Sequence, residues 1–563
     1  MRHGRVIVCV LTLIFLAVAV FVGVYESGGE NFPFSVILSS DNETERICCW
    51  KNIDKYYVFL PSYAELSQAR LHANKIYKII IDSQPIVDGM TCENFPLNTP
   101  LPLSYSARDG EHNCTVIFVQ SGNVPTMYID VPSGSMEYIH EKKGNSEAGT
   151  MRLYSAEGVL EHHGDLESIK GRGNSTWEDE KKPYSLTLRQ EADLLGMGKA
   201  SKWILLANSG DYSHLRNKIS FDLAKEVNLP YSPECTWTDL YLNGEYAGLY
   251  LLCERNEVHP QRINIDSDSS FLVSVEPGWR LQMQGYPYVV TDSAVALRIH
   301  HSSMEMDAVR RIWQSAENAI LAEDGVDPQT GKIWDELIDV DSWVRKYLIE
   351  EIFANIDSCL ASEFFFYEEA DGKIYAGPIW DMDVILESGS LESLSPRAIL
   401  AGRPHLWNET DSPFFYYALL QKEKFYGRMV ELYQQEFHPL LMRLLDSGLE
   451  QYGQQTVRAA AANKMRWPVG DASENIDRMR TYLMERMQFL DDYWVNKETY
   501  YLVQAQHGAV WAFAVLPGEV LDYLPVFEGE AWYIMDTDEP FDRTVPVNDD
   551  IAIYSKPIAA EAE

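Results

Sequence analysis

Three aspartates, Asp357, Asp381 and Asp383, sit in an otherwise apolar and aromatic run over residues 353–383, "FANIDSCLASEFFFYEEADGKIYAGPIWDMD". Carboxylates placed this way suit phosphoryl transfer, in which a protein supplies mainly positioning and charge neutralisation. One carboxylate would accept the proton of the attacking hydroxyl. Another would hold Mg²⁺ against nucleotide phosphates. That ion takes one or two carboxylates and completes its shell with water and phosphate oxygens, and Asp381 with Asp383 can supply them. The plain structural alternative is that Asp357 caps or turns the chain after a helix and that Asp-x-Asp is an ordinary loop pattern.

The elements that would position these residues can be read from periodicity. "DVDSWVRKYLIEEIFAN" places Val340, Trp343, Val344, Tyr347, Leu348 and Ile352 on one helical face. The helix is expected to stop at Asn355, leaving Asp357 in a loop. "EFFFYEE" then reads as a strand, Asp371-Gly372 as a turn and "KIYAGPI" as the returning strand. A hairpin brings its ends together, so Asp357 and Asp381 are expected to be neighbours. Protein kinases use the same order, a catalytic loop followed one hairpin later by a metal-binding Asp.

Upstream, "GRGNSTW" is a glycine-bearing loop between two strands, where backbone N–H groups can reach phosphates. "KKPY" follows, offering Lys181 and Lys182 as phosphate-binding charges. Arg216 and Lys218 offer two more on the helix after "GDYSHL", which Asp211 or Ser213 can cap. Each basic residue has a solvated surface charge as its alternative reading. "TDLYLNGEYAGLYLLCE" is the clearest hairpin, with Asn243-Gly244 supplying a tight turn. Neither a Walker loop, a dinucleotide-binding glycine pattern, nor the G-x-S-x-G elbow of hydrolases occurs.

Taken in order, "IKGRGNSTW…KKPYSLTL", "WILLAN…DYS…LRNK", "DLYLNGEYAGLYLLCE" and "GPIWDMD" resemble the CotH family over about residues 131–500. These are atypical, exported protein kinases first known from spore coats. The resemblance implies an α+β fold with a divergent protein-kinase-like two-lobed core, a β-rich N-lobe and a helical C-lobe. It implies ATP- and Mg²⁺- (or Mn²⁺-) dependent phosphorylation of exported protein substrates on Ser. Asp357 then matches the catalytic-loop aspartate and Asp381 the metal-binding one, with Asp383 assisting. Arg172, Gly173, Asn174 and Lys182 match nucleotide-facing positions, with Arg216 as a further phosphate contact. Glu254 matches a hinge or lobe-bridging residue.

One departure stands out. Conventional kinases carry an Asn five residues after the catalytic Asp as a second metal ligand. Ser362 holds that spacing here, beside Glu363, which can serve as a ligand if it points inward and faces solvent otherwise. Two rivals therefore stand beside a kinase. One is a metal-dependent glycosyltransferase, which also uses Asp-x-Asp. The other is a cell-surface binding or adhesion protein with a kinase-like fold and no catalysis.

The rest of the chain bounds these readings. A net charge of −37 without clustered Lys or Arg excludes a nucleic-acid-binding surface. Residues 1–30 combine a short basic start with about 20 uncharged residues, long enough to span a bilayer. We expect an uncleaved single-pass anchor whose short end lies inside, by Arg2 and Arg5, with the bulk outside the cytoplasm. Residues 31–130 read as a β-rich accessory domain and 501–563 as an acidic β-type segment with 12 acidic and 2 basic side chains. Eight cysteines include no C-x-x-C, which argues against a thiolate zinc site. Beyond Cys9 in the anchor seven remain, so at least one stays free or pairs between chains.

Overall fold

The turn expected at Asn243-Gly244 forms with both residues in the left-handed region, φ 51° and 83°, and it joins strands Cys235–Leu242 and Glu245–Glu254. These strands are neighbours in a closed seven-stranded barrel. The computed structural model describes residues 33–40, 43–73, 78–107, 110–266, 268–358, 361–386, 395–404 and 415–557. Its overall class is mixed α+β. The anchor expected over 1–30 lies outside the described residues, as do Cys9 and Cys359. Among the described residues no helix is long and apolar enough to cross a membrane.

The chain divides into two units. The first holds the residues up to Ser209 with Trp237–Leu252 and Gln455–Val469. It opens with a three-stranded and a six-stranded sheet over a core that includes Val36, Ile47, Val58, Leu71 and Phe118. The barrel follows, closed by the parallel pairing of Thr126–Asp130 with Cys235–Leu242 and filled by Met127, Leu153, Leu186, Trp203 and Leu252 among others. Cys48, Cys49, Cys92, Cys114 and Cys235 are free thiols.

Between barrel strands Leu160–Gly171 and Tyr184–Asp193 lies the "GRGNSTW" loop. Trp177 is buried there, and its ring covers Gly171. A Cβ at Gly171 would lie 2.0 Å from the indole. Gly171→Ala must therefore push Trp177 out of its seat. The expected cost is about 1–3 kcal/mol, read as a lower melting midpoint together with a red-shifted tryptophan emission.

The second unit comprises Gly210–Thr236, Cys253–Gln454 and Gly470–Glu563. A five-stranded sheet runs in the order Tyr288–Val290, Ala296–Ser302, Phe271–Val275, Glu363–Glu368, Lys373–Ala376. The last two strands are the expected hairpin, paired from Phe365↔Ala376 to Glu368↔Lys373. Gly372 takes φ 72° at its tip, and Asp371 Oδ1 accepts the Lys373 N–H at 3.1 Å.

Two helices carry the site, α1 (Arg216–Glu226) and α2 (Val340–Ile352). Asp211 Oδ2 accepts the Arg216 N–H at 2.9 Å and Ser213 Oγ accepts the Leu215 N–H at 3.1 Å, so both expected capping residues satisfy donors at the start of α1. Asp339 caps α2 by accepting the Ser342 N–H at 2.8 Å. The apolar face of α2 is buried as read, except for the half-buried Val340. Three of its polar residues are buried as well, with Lys346, Glu350 and Glu351 all at most 1% exposed. Charges buried in this way must be paired internally.

Glu351 meets Arg486, from the helix Ala472–Leu490, at 2.8 Å with both side chains fully buried. Its carboxylate also accepts the N–H groups of Leu400 and Gly402 at 3.1 and 2.8 Å. Arg486 donates to the carbonyls of Glu351, Pro396 and Ala398. Residues 397–399 meet Ala509–Val515 in an antiparallel bridge between Ala398 and Phe513, with Ile399 N–H to Ala512 O at 2.8 Å and Ala514 N–H to Arg397 O at 2.9 Å. The sheet they meet is the C-terminal one, ordered Ala509–Val515, Tyr501–His507, Ile551–Pro557, Glu530–Ile534.

Candidate active site

The end of α2 and the hairpin build one acidic corner. Ala354 leaves the helix with φ 51°, and Asp357 follows in a turn where its N–H bonds Asn355 Oδ1 at 3.1 Å. At the hairpin's entrance Ser362 takes φ 60°, and at its exit Asp381 takes φ 63°. The two meet, Ser362 Oγ donating to Asp381 Oδ2 at 3.1 Å. Three non-glycine residues in the left-handed region within 28 positions are costly, and such strain gathers where geometry serves a function.

The electrostatics bring the three aspartates into one field. Burial pushes the Asp357 carboxyl up to about 6, and the charge of Asp381 adds to the rise, while Arg280 opposes it. Asp383 is raised first by burial, next by Asp381, and then by Asp357 and Asp211. Arg280 comes from the short helix Gly278–Gln284 and pairs with Glu276 at 3.1 Å.

Hard carboxylate oxygens one residue apart fit Mg²⁺ or Mn²⁺ by donor type. Among the described residues no group of three or more His, Cys, Asp or Glu side chains is arranged to hold a metal alone. An ion held at Asp381 and Asp383 would have to complete its shell with water or phosphate oxygens.

The other expected site residues fall in different settings. Glu363 points into the core, 2.6 Å from Lys346 with both side chains buried, and Glu350 lies 3.7 Å from the same ammonium. Glu363 thus acts on Asp357 through its charge, and its carboxylate is held in an internal ion pair. Arg216 is buried and bonds Asp211 at 2.8 Å and the Ile385 carbonyl at 2.7 Å, contacts within the protein rather than an outward-facing charge. Lys218 pairs with Asp222 at 2.6 Å, one helical turn on. Glu254 is held by Arg262 at 2.5 Å and by the Glu234 N–H at 2.9 Å. Burial raises its pKa to about 7.

In the first unit, Arg172 and Gly173 are half-buried and Asn174 is exposed at the tip of the loop. Gly173 takes φ 86°, and its carbonyl accepts from Lys143 Nζ at 2.7 Å. Lys182 precedes the strand instead of lying on it. It donates to the Trp177 carbonyl at 2.6 Å and lies 5.0 Å over the Trp177 ring, so it braces the loop. Lys181 is buried, bonding the Leu249 carbonyl at 2.5 Å.

Sequence reasoning missed Lys346, Asn217 and Arg280, and it took Asp211 for a cap alone. A lysine inside the helical run of α2 was the available signal for Lys346. Nothing local marks Arg280, which acts on Asp357 from 77 positions upstream.

The family model described as CotH kinase protein matches residues 169–490, inside the stretch expected from the motifs. No curated protein matches the chain. The matched region covers more than half of the 563 residues and includes the glycine-bearing loop, α1, α2 and all three aspartates. The chain belongs to the CotH kinase protein family.

Proposed function

We propose that the chain is an atypical protein kinase that transfers the γ-phosphate of ATP to Ser or Thr hydroxyls of exported proteins. Its N-terminal segment would hold it at the membrane, with the bulk outside the cytoplasm. The β-rich first unit and the helix-bearing second unit would correspond to the two lobes of a kinase. One observation carries the reading: Asp357, its carboxyl lifted to about 6, shares a half-buried corner with Asp381 and Asp383.

A base works best when its pKa lies near the working pH. Asp357 is mostly ionised at pH 7 and accepts the proton of the acceptor oxygen as that oxygen bonds the γ-phosphorus. The bond from phosphorus to the bridging oxygen breaks, and ADP leaves with the electron pair. Ser362 holds the Asp381 carboxylate by its hydrogen bond. A divalent ion bound at Asp381 and Asp383 would neutralise phosphate charge.

Purified chain with ATP and Mg²⁺ at about 100 times the dissociation constant should gain roughly 2.7 kcal/mol of stability. The gain should vanish in Asp381→Ala. Stabilisation by UDP-sugars in place of ATP would move the assignment to glycosyl transfer. Ser362, standing where kinases keep an Asn ligand, favours the non-catalytic surface protein as the second reading. That reading wins if no nucleotide shifts the melting curve.

A further inference from the structure

Contacts from the first turn of α1 converge on the turn that bears Asp381 and Asp383. Arg216 Nε donates to the Ile385 carbonyl at 2.7 Å and its Nη1 to Asp211 Oδ1 at 2.8 Å. The neighbouring Asn217 accepts the Met382 N–H through Oδ1 at 3.0 Å. All three side chains are buried, Arg216 at 4%, Asn217 at 3% and Asp211 at 0% exposure. On its other flank the turn is fastened by the Leu386 N–H to the Phe353 carbonyl at 2.9 Å. The turn needs such fastening because Asp381 and Leu386 both adopt left-handed backbone, φ 63° and 49°, a conformation that persists only when surroundings impose it.

We infer that Arg216 and Asn217 are positioning residues that fix the Asp381–Asp383 turn for a divalent ion, and that Arg216 is not a phosphate ligand. The inference rests on the metal-binding reading of the corner given above. A planar guanidinium can send Nε to one partner and Nη1 to another, and lysine, with a single ammonium, cannot reproduce that fork. Its charge also balances Asp211, a carboxylate whose field reaches Asp383. Removing the clamp would loosen the turn and leave Asp211 buried without its ion pair.

The test uses the full chain, Mn²⁺ alone as the probe ion and ADP in EDTA as the metal-free nucleotide. Two variants, Arg216→Lys and Asn217→Ala, guard against one failing to fold. Both should show amide exchange at residues 382–386 about tenfold faster than wild type, and Mn²⁺ affinity by paramagnetic resonance weaker by about 10–100-fold. Metal-free ADP affinity should be unchanged, also in Arg216→Met. Loss of metal-free ADP affinity in Arg216→Met with unaltered exchange at 382–386 would make Arg216 a phosphate ligand and overturn the inference. Wild-type chain that binds no Mn²⁺ overturns the metal-binding reading itself, and exchange at 382–386 then decides separately whether the clamp exists.

Discussion

Asp357→Asn is expected to lose phosphotransfer by about 10²–10⁴-fold, to keep its ATP-dependent stabilisation, and to melt at a higher temperature than the wild type at pH 7. The amide preserves the shape of the side chain and removes only the proton acceptor. The stability gain follows from the carboxyl's pKa, about 6 in the folded protein against an ordinary 3.8. A group raised on folding binds its proton more tightly in the native state, so its stabilising contribution is complete below about 3.8 and is lost as pH rises through about 6. Above that pH the wild type holds a charge in a half-buried, negatively charged corner, and the Asn variant does not. The advantage of the variant should therefore grow between pH 4 and 7 and then level off. Wild-type turnover should rise across the same interval, because the base must be ionised to act. Paired rate and melting measurements from pH 5 to 8 check both statements. Full turnover in Asp357→Asn would remove the residue from the chemistry.

The second large effect is structural. Arg486→Met strands the Glu351 carboxylate, fully buried, with the Leu400 and Gly402 N–H groups as its remaining partners among the described residues. Breaking a buried pair from one side costs about 3–5 kcal/mol, and three backbone carbonyls each lose one donor in the same substitution. The midpoint of urea unfolding should fall accordingly. The double variant Glu351→Gln with Arg486→Met should lose less than the single one, because no charge remains unpaired. Equal losses in the two variants would show that packing, and not the stranded carboxylate, dominates.

Much of the corner was legible because its signals are local. The Asn243-Gly244 and Asp371-Gly372 turns, the apolar stripe of α2 and the aromatic strand residues of the 363–376 hairpin all follow from residues a few positions apart. So did the order of helix, loop, hairpin and Asp-x-Asp. What escaped is pairing between distant segments. From the sequence, Arg216 and Lys182 read as charges available to a nucleotide and Glu254 as a hinge residue, yet a charge's availability depends on what folds against it. Arg216 meets a carbonyl 169 positions away, and Glu351 meets an arginine 135 positions away. Periodicity likewise identifies the apolar face of α2 and says nothing of what its polar residues meet. It could not show that the Lys346 ammonium sits between the Glu350 and Glu363 carboxyl groups inside the core. The direction of Glu363 was left open by strand alternation, and the position of Lys346 decides it.

The antiparallel bridge between Ala398 and Phe513 has a consequence for the order in which the protein is made. The backbone partners of residues 397–399, Ala512 and Ala514, are synthesised more than a hundred residues later. A nascent chain emerging N-terminus first therefore carries its aspartate corner for some time with the downstream edge unpaired. Only when the acidic tail has left the ribosome can that edge be sealed, so a premature stop near residue 500 would remove a partner that the corner's own sequence does not reveal.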